Sequence, residues 1–416
     1  MTNLRATTRR LDRDVDLVEV AGAHGVLFEQ AGSGLAGRGE ALRIPLPEGA
    51  GRLAKAADDV AAALAAIEAD DEVGLPGCGP VAFAALPFAE GTPGSLVVPE
   101  IVVGKSPDGT RWLTTITTNA ELGARDDAER HLVHPVRRSG GAGPGRFEVE
   151  PARPPSDWCD AVAAAVVELR AHALQKVVLA REICVEADEP IDVVAVLERL
   201  RAAYPGTMLY SVDGLVGATP ELLVSRTGDV VRSHPMAGTT PRTGDPAADA
   251  RRAASLLASA KDRAEHQITI DMVLDTVLPF CSYVDSEPEP SIVSLANVQH
   301  LASMVEGRLS SPPASVLALV AALHPTPAVC GWPRAEALAL IDRLEQLDRG
   351  RYTGAVGWVD QHGDGRFGVA IRCAEIDGRR ARLFAGNGIV ADSDPATELT
   401  ETRAKLQAML VAIVRP

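Results

Sequence analysis

Apolar residues in the second half of the chain change their spacing several times. Residues 160–175, DAVAAAVVELRAHALQ, have the three-to-four-residue period of an amphipathic helix, and residues 176–185, KVVLAREICV, have the β-branched run of a strand. Lys176 therefore opens a predicted strand. Residues 193–204 predict another helix, and residues 207–226 predict a pair of short strands.

The C-terminal third continues this mixture. Residues 249–278 predict one long helix or two helices close together. Residues 381–391, ARLFAGNGIVA, predict a strand that ends in a glycine-rich turn, and residues 395–414 predict a final helix with Pro395 in its first turn. Helices and strands follow one another without a regular βαβ order, which favours an α+β fold over a doubly wound one.

Glycine and proline cluster in residues 137–158, RRSGGAGPGRFEVEPARPPSDW, where the apolar periodicity disappears. We place a boundary there between an N-terminal part, residues 1–154, and a C-terminal part, residues 155–416. A length of 416 residues leaves the number of domains open.

The charge balance limits the classes of partner. With 41 Lys and Arg against 56 Asp and Glu, the net charge of −15 argues against binding to nucleic acid and anionic membranes, because both need a basic face.

No segment approaches the roughly 18 apolar residues of a membrane span, and the N-terminus lacks a signal-peptide core, so we expect a soluble cytoplasmic protein. Six scattered cysteines without a C-x-x-C pair fit neither a disulfide framework nor a zinc site.

One glycine motif suggests a different class of protein. GSGLAG at residues 32–37 satisfies G-x-G-x-x-G and follows the strand-like GVLFEQA, as in dinucleotide-binding oxidoreductases. That motif needs a helix directly after the glycines, whereas RGEALRIPLPEG with its two prolines follows. We interpret the glycines as a hairpin turn and keep the nicotinamide-dependent oxidoreductase as an alternative, which failure to bind NAD would exclude.

Two carboxylate pairs have the spacing of a metal site. Asp262 and Glu265 lie three residues apart on one predicted helix, and Glu398 and Glu401 on the last helix, so each pair shares a helix face. If the two helices face each other, the four side chains could hold one hard cation, for which Mg²⁺ is the natural choice. Lys405 lies on the same face as Glu401 and could meet an anionic ligand. Such pairs are also common on solvated helices. The spacing alone is therefore also consistent with solvent-exposed carboxylates that bind no metal.

A series of segments resembles the chorismate-utilising enzymes, the family of isochorismate, salicylate, anthranilate and aminodeoxychorismate synthases. The segments are KVVLARE (176–182), GATPELL (217–223), HPMAGTTPR (234–242), KDRAEH (261–266), VQHLAS (298–303), HPTPAVCGWP (324–333), RYTGAVGW (351–358), AIRCAE (370–375), and FAGNGIV to TELTETRAKL (384–406). They occur in the family's order from about residue 155 to the C-terminus. The N-terminal part matches loosely, mainly through GSGLAGRGEALRI.

This resemblance implies a single large α+β domain with two stacked antiparallel β-sheets flanked by helices and the active site between the sheets. The boundary at residues 137–158 would then be a loop within one domain. Family members that use water as the nucleophile are often monomers, so a monomer is expected.

The resemblance also assigns two proton-transfer groups. Lys176 matches the general base that activates water, and Glu221 matches the general acid that protonates the departing hydroxyl. The reaction needs both because water is a poor nucleophile and hydroxide a poor leaving group. Burial lowers the pKa of a lysine and raises that of a glutamic acid, which suits these opposite roles. Judged singly, Lys176 could be a solvated strand end and Glu221 part of a Pro-Glu turn.

The remaining matched residues form a magnesium site and a substrate site. Glu265 and Glu401 match direct Mg²⁺ ligands that hold the ring carboxylate of chorismate, with Asp262 and Glu398 acting through bound water. Tyr352 and Arg372, with the backbone at two glycines, match the grip on the enolpyruvyl carboxylate, for which the planar guanidinium is suited. His300 is equally well explained as a buried structural histidine. The full set of expected substrate contacts is Gly238, Thr239, His300, Ala328, Tyr352, Arg372, Gly386, Gly388 and Lys405.

Lys176 selects water over ammonia, because the ammonia-using members generally lack a lysine there. No segment resembles a glutamine amidotransferase, so no such subunit is expected. We therefore expect an isochorismate synthase, an isomerase that adds water at C2 of chorismate and expels the C4 hydroxyl. Salicylate synthase is the alternative, since Tyr352 occurs there too, although Ala328 replaces their usual threonine. No residue distinguishes a menaquinone from a siderophore pathway.

Overall fold

The computed structural model describes residues 4–118, 143–171 and 174–415. The helices in these ranges are α1 Leu17–Ala21, α2 Arg52–Ala65, α3 Pro155–Ala171, α4 Val193–Ala203, α5 Pro246–Ala258, α6 Ala260–Val277, α7 Val316–Leu323, α8 Arg334–Leu344 and α9 Pro395–Val414, with a 3₁₀ turn at Leu278–Phe280. Residues 137–142 of the proposed boundary, and residues 172–173 within the helix predicted at 160–175, lie outside the described ranges.

The strands in the same ranges are short, apart from two long ones near the C-terminal half of the fold. They are β1 Leu4–Arg10, β2 Val26–Gln30, β3 Ser33–Arg38, β4 Leu42–Pro45, β5 Glu68–Asp71, β6 Val81–Ala85, β7 Ser95–Val98, β8 Ile101–Lys105, β9 Arg111–Thr118, β10 Phe147–Pro151, β11 Lys176–Ala187, β12 Met208–Val212, β13 Leu215–Thr219, β14 Leu222–Thr227, β15 Val230–His234, β16 Met236–Pro241, β17 Cys281–Ser286, β18 Ser291–Ser294, β19 Val298–Ala302, β20 Val305–Leu309, β21 Gly331–Trp332, β22 Ala355–Asp360, β23 Gly365–Val369, β24 Cys373–Asp377 and β25 Arg380–Ile389.

Two large sheets and one small sheet organise these strands. The larger sheet has the order β10-β11-β25-β24-β13-β12-β2-β3-β8-β9-β1-β5, with β21 beside β11, and the second has the order β17-β20-β15-β14-β23-β22-β6-β7-β4. A three-stranded sheet has the order β16-β19-β18. The β1–β5 pair is parallel, and every other strand pair in the described residues is antiparallel.

Apolar side chains fill three layers around the two large sheets. Phe28 and Tyr210 of the larger sheet pack with Phe83 and Val356 of the second sheet, so the sheets stack face to face. Helices α1, α4 and α9 cover the other face of the larger sheet, while α2, α6 and α7 cover that of the second sheet. Because each sheet buries both faces, strands such as β6 are apolar throughout. The predicted α+β fold with two stacked antiparallel sheets is confirmed.

Several local predictions are confirmed. β11 begins at Lys176, and Pro395 opens α9. The segment 249–278 contains two helices, with Ser259 between them accepting a hydrogen bond from the Asp262 backbone N–H as the cap of α6. GSGLAG forms the β2–β3 hairpin with positive φ at Ala31 and Gly32. Since a strand and not a helix follows these glycines, the dinucleotide-binding alternative is wrong.

Two local predictions are wrong. Residues 207–226 contain three strands rather than two, because the Pro-Glu step at 220–221 ends β13 and β14 starts immediately in the other large sheet. Gly386 and Gly388 lie inside β25 and not in a turn after it, since β25 continues its pairing with β11 through Ile389. In the described residues, no helix is long and apolar enough to cross a membrane.

Candidate functional site

Every candidate site residue named from the sequence lines one cavity of about 300 Å³. The walls come from β11 and β25 of the larger sheet, the start of β14, strands β16 and β19 of the small sheet, and helices α6 and α9. This volume is suitable for a small metabolite. The antiparallel pairing of β11 with β25 brings Val178 beside Gly388, and that of β16 with β19 brings Thr239 beside His300, so the site joins residues that are distant in sequence.

Lys176 is buried at the start of β11, with 7% of its surface exposed. Its Nζ donates to Glu265 Oε1 at 2.6 Å. Burial raises the pKa of Glu265, but the adjacent Lys176 ammonium outweighs that effect and holds the pKa below its ordinary value. A Cβ at Gly388 would overlap Lys176 Cε, so glycine at position 388 makes room for the lysine.

Glu221 lies in the step between β13 and β14 and is 5% exposed. Its backbone is fixed on both sides, because its N–H donates to Thr219 Oγ1 at 3.2 Å and its carbonyl accepts from the Val369 N–H at 3.0 Å. Burial raises the pKa of Glu221 to about 8, although the Lys176 charge pulls it down. The carboxyl group is therefore protonated at neutral pH and can donate a proton.

Arg372 gives the cavity an unpaired cation. It has a positive φ of 53°, and its buried Nη1 has no hydrogen-bond partner in the described residues. Burial lowers the pKa of Arg372 and outweighs the opposite effect of Tyr352, Tyr204 and the Glu401 carboxylate. Tyr352, 4% exposed, stacks on Phe384 at 5.2 Å between ring centroids, and burial raises its pKa. An uncompensated buried guanidinium is costly, which indicates an anionic ligand.

The four candidate metal ligands line the same cavity from two helices, as the spacing predicted. Glu265 is paired with Lys176, and Glu401 accepts from Lys405 Nζ at 2.8 Å. Among the described residues, no three His, Cys, Asp or Glu side chains are arranged to hold a metal ion as they stand. The donor set nonetheless fits Mg²⁺ chemically, since it consists of carboxylate oxygens that already bind two ammonium cations.

Asn387 is a site residue that the sequence did not reveal. It is buried between the two cavity glycines of β25, donates to Glu398 Oε2 at 2.8 Å, and accepts from Lys405 Nζ at 2.7 Å. Ser393 Oγ donates to the other oxygen of Glu398 at 2.8 Å. The sequence signal that could have identified it is a polar residue between two glycines in an otherwise apolar strand.

The small sheet supplies one polar edge of the cavity. Thr239 and His300 are paired across β16 and β19, and Thr239 Oγ1 lies 2.9 Å from His300 Nδ1. Burial, with help from nearby cations, lowers the pKa of His300 to about 3, so the imidazole is neutral. Gly238 has a φ of 77°, a conformation that favours glycine and turns its backbone beside Asp262.

A buried ion pair supports the wall behind these groups. Arg349 donates to both carboxylate oxygens of Glu345 at 2.6 Å. The same guanidinium donates to the Val178 carbonyl at 2.8 Å, the Val329 carbonyl at 3.0 Å and Thr353 Oγ1 at 3.2 Å, and these three residues line the cavity. Arg349 therefore connects β11 to two separate loops of the site. No sequence pattern predicted this pair.

Comparisons with known proteins agree with this arrangement. The family model described as chorismate binding enzyme matches residues 24–414. Isochorismate synthase DhbC of Bacillus subtilis (strain 168) is 38% identical over 345 residues, which cover 80% of this chain and 81% of DhbC. The crystal structure of a candidate 2,3-dihydroxybenzoate-specific isochorismate synthase, DhbC from Bacillus anthracis, superposes with a TM-score of 0.78 at 32% identity, covering 95% of this chain and 98% of that one. MenF, the menaquinone-specific isochorismate synthase of Escherichia coli, has a TM-score of 0.81 at 21% identity, covering 99% and 95%, and supports the fold alone.

Proposed function

The chain belongs to the chorismate binding enzyme family, and from this membership we propose that it is an isochorismate synthase that adds water at C2 of chorismate and expels the C4 hydroxyl. One observation carries the proposal: a single cavity contains a buried lysine, Lys176, and a buried protonated glutamic acid, Glu221. The isochorismate synthase named among the relatives supports the same reaction.

The two groups divide the proton transfers. Lys176, in its free amine form, accepts a proton from the attacking water as the oxygen bonds to C2, and Glu221 donates its proton to the C4 oxygen, which leaves as water. The ring double bonds shift as the C2–O bond forms and the C4–O bond breaks. Lys176 gains one proton and Glu221 loses one, so the step balances without an oxidant. A pKa of about 8 keeps Glu221 in its acidic form at neutral pH.

The cations of the cavity account for binding a dianion to an acidic protein. We assign Arg372, with Tyr352 beside it in the cavity lining, to the enolpyruvyl carboxylate, which its planar guanidinium would bind through two hydrogen bonds. We assign the backbone of Gly386 and Gly388 to the same end of the substrate. The remaining proposed substrate contacts are Gly238, Thr239, His300, Ala328 and Lys405.

We also propose that Mg²⁺ is the cofactor. Glu265 and Glu401 would hold it directly, and Asp262 and Glu398 through bound water. When bound, the ion supplies positive charge that attracts the ring carboxylate and stabilises negative charge formed during the reaction. The oxygen-only donor set on facing helices supports this assignment.

The test is a product assay with chorismate and Mg²⁺, followed by chromatography. We expect isochorismate as the product, with activity lost in EDTA and in Lys176→Ala but kept in Lys55→Ala, a control at an exposed lysine of α2. Salicylate with an equal amount of pyruvate would instead identify a salicylate synthase and show that Ala328 does not prevent pyruvate loss. No turnover by folded protein would reject the enzymatic function.

A further inference from the structure

A second, smaller cavity lies between β11 and the start of α3, and it shares no lining residue with the candidate active site. Its volume is about 30 Å³. That space accommodates a chloride ion or a single carboxylate group, but not a whole metabolite. Three nitrogen-bearing side chains and two acids line it: Arg153, Trp158, Arg181, Glu182 and Glu345.

Arg181 in this cavity is a buried cation without a counter-ion. Only 9% of its surface is exposed, and its side chain makes no hydrogen bond or ion pair with any part of the chain that the structure describes. Burial lowers the pKa of Arg181, and the nearby Arg403 guanidinium lowers it further. A mostly buried charge without a partner is unfavourable, so an anion beside the guanidinium would stabilise it.

Trp158 lies beside the cavity and not in contact with an ion inside it. Its indole Nε1–H has no partner within the described ranges, and the nitrogen is sealed from solvent, so no ion can reach it. The ring is fixed among apolar neighbours such as Val162 and Leu179, and other atoms of it line the cavity. Trp158 also lies in the first turn of the 17-residue α3, where the helix dipole favours negative charge.

The acids of the cavity do not neutralise Arg181, because each is already paired. Both Glu182 oxygens accept from Arg382, at 2.7 and 3.1 Å. Both Glu345 oxygens accept from Arg349. Arg153 is likewise engaged, since it donates to the Glu345 carbonyl at 2.9 Å. The uncompensated charge at this place is therefore positive.

We propose that the Arg181 cavity binds a small anion, either an inorganic ion of chloride size or the carboxylate end of a larger molecule whose body stays outside. Arg181 on β11 holds the anion beside the start of α3, where the helix dipole also favours negative charge. The site is independent of the proposed function, because none of its residues belongs to the candidate active site.

The test titrates wild-type protein with sodium chloride and, separately, with sodium acetate, at constant ionic strength balanced by a bulky sulfonate salt. Tryptophan fluorescence and melting temperature are followed. We expect a saturable fluorescence change and a rise in melting temperature, since an anion that binds only the folded state stabilises it. Saturation by chloride alone identifies an inorganic ion, and saturation by acetate identifies a carboxylate.

Three variants separate this site from general salt effects. Arg181→Gln should weaken the apparent affinity at least about tenfold, since a charged hydrogen bond is lost. Trp158→Phe should remove the fluorescence change but keep the thermal effect, because the indole lies beside the anion without binding it. Arg170→Gln, a control in α3 whose partner is the Ala391 carbonyl, should behave as wild type. Wild-type protein without a saturable response to either anion, or Arg181→Gln with wild-type affinity, would overturn the proposal. If Arg181→Gln does not fold, the wild-type and Trp158→Phe titrations decide.

Discussion

Glu221 shows how one buried residue serves the reaction at the expense of stability. Burial raises its pKa to about 8, whereas the unfolded chain has a value near 4.5. The folded state therefore binds more protons between these values, and the protein loses stability as the pH rises through this window. The group that makes a suitable acid is thus unfavourable for the fold from about pH 5 upward, and most so above about pH 8.

Glu221→Gln separates the two effects. The neutral isostere cannot donate the proton, so we expect kcat to fall by about 10² to 10⁴-fold. Its melting temperature should exceed that of wild type by an amount that grows from about pH 5 to about pH 8 and is then constant, because the variant has no carboxylate to bury. Thermal unfolding at several pH values measures this, and parallel curves for both proteins would show that Glu221 has an ordinary pKa.

Gly388 is predicted to be essential for the position of Lys176. A Cβ at position 388 would overlap the end of the lysine side chain. Gly388→Ala should therefore displace the amine and lower kcat by about 10²-fold, the cost of a displacement of roughly 1 Å in a catalytic group. Gly91→Ala, where a Cβ meets nothing, is the control for steady-state kinetics. Unchanged kcat in Gly388→Ala would contradict the proposed role of Lys176.

The sequence predicted residue roles only through the order of many motifs. Lys176 and Glu221 taken singly are ordinary residues, and they are recognised because the segments around them occur together. Asn387 was missed because its partners Glu398 and Lys405 lie on another element, the last helix. The Glu345–Arg349 pair has an ordinary local spacing, and its place behind the site depends on contacts with distant residues such as Val178. Periodicity and spacing describe one element and do not report contacts between distant strands.

At the scale of elements, periodicity predicted the long helices and β11 well. It failed where tertiary pairing decides the structure. The glycines of β25 resemble a turn, yet they remain in a strand because β11 lies alongside and a side chain at Gly386 would crowd the Leu179 carbonyl. The Pro-Glu step at 220–221 divides what resembles one strand, since the chain passes there from one large sheet to the other.

Arg349 is predicted to hold three elements of the site together. Arg349→Ala leaves the buried carboxylate of Glu345 without its partner, so we expect the free energy of unfolding to fall by about 3–5 kcal/mol in urea denaturation. Arg343→Ala removes an exposed pair with Glu168 and should cost about 1 kcal/mol or less. Equal losses in the two variants would show that the buried pair does not support the fold.

At the scale of the whole molecule, both large sheets combine strands from before and after residue 154. β12 pairs with β2, and β22 pairs with β6. The division into residues 1–154 and a catalytic part, residues 155–416, stays a prediction. The candidate site residues all follow residue 175. The net charge of −15 argues against broad anion binding, and we propose that a few buried cations bind the substrate.

A fragment of residues 155–416 should therefore fail to fold cooperatively. Without β2 and β6, the inter-sheet layer loses Phe28 and Phe83 and exposes their neighbours. We expect no sharp thermal transition by near-UV circular dichroism, whereas the full chain should unfold in one transition and elute as a monomer in size-exclusion chromatography. A fragment that melts sharply would show that the C-terminal part is a domain by itself.

The central claim, that Lys176 activates water to form isochorismate, is tested most directly with isotopic water. Chorismate is incubated with the protein and Mg²⁺ in H₂¹⁸O, and the isochorismate is analysed by mass spectrometry after brief reaction. We predict one ¹⁸O atom in the C2 hydroxyl of each product molecule, and no labelled product from Lys176→Ala. Unlabelled isochorismate would show that the hydroxyl is transferred within the substrate, and labelled product from Lys176→Ala at the wild-type rate would show that another group is the base.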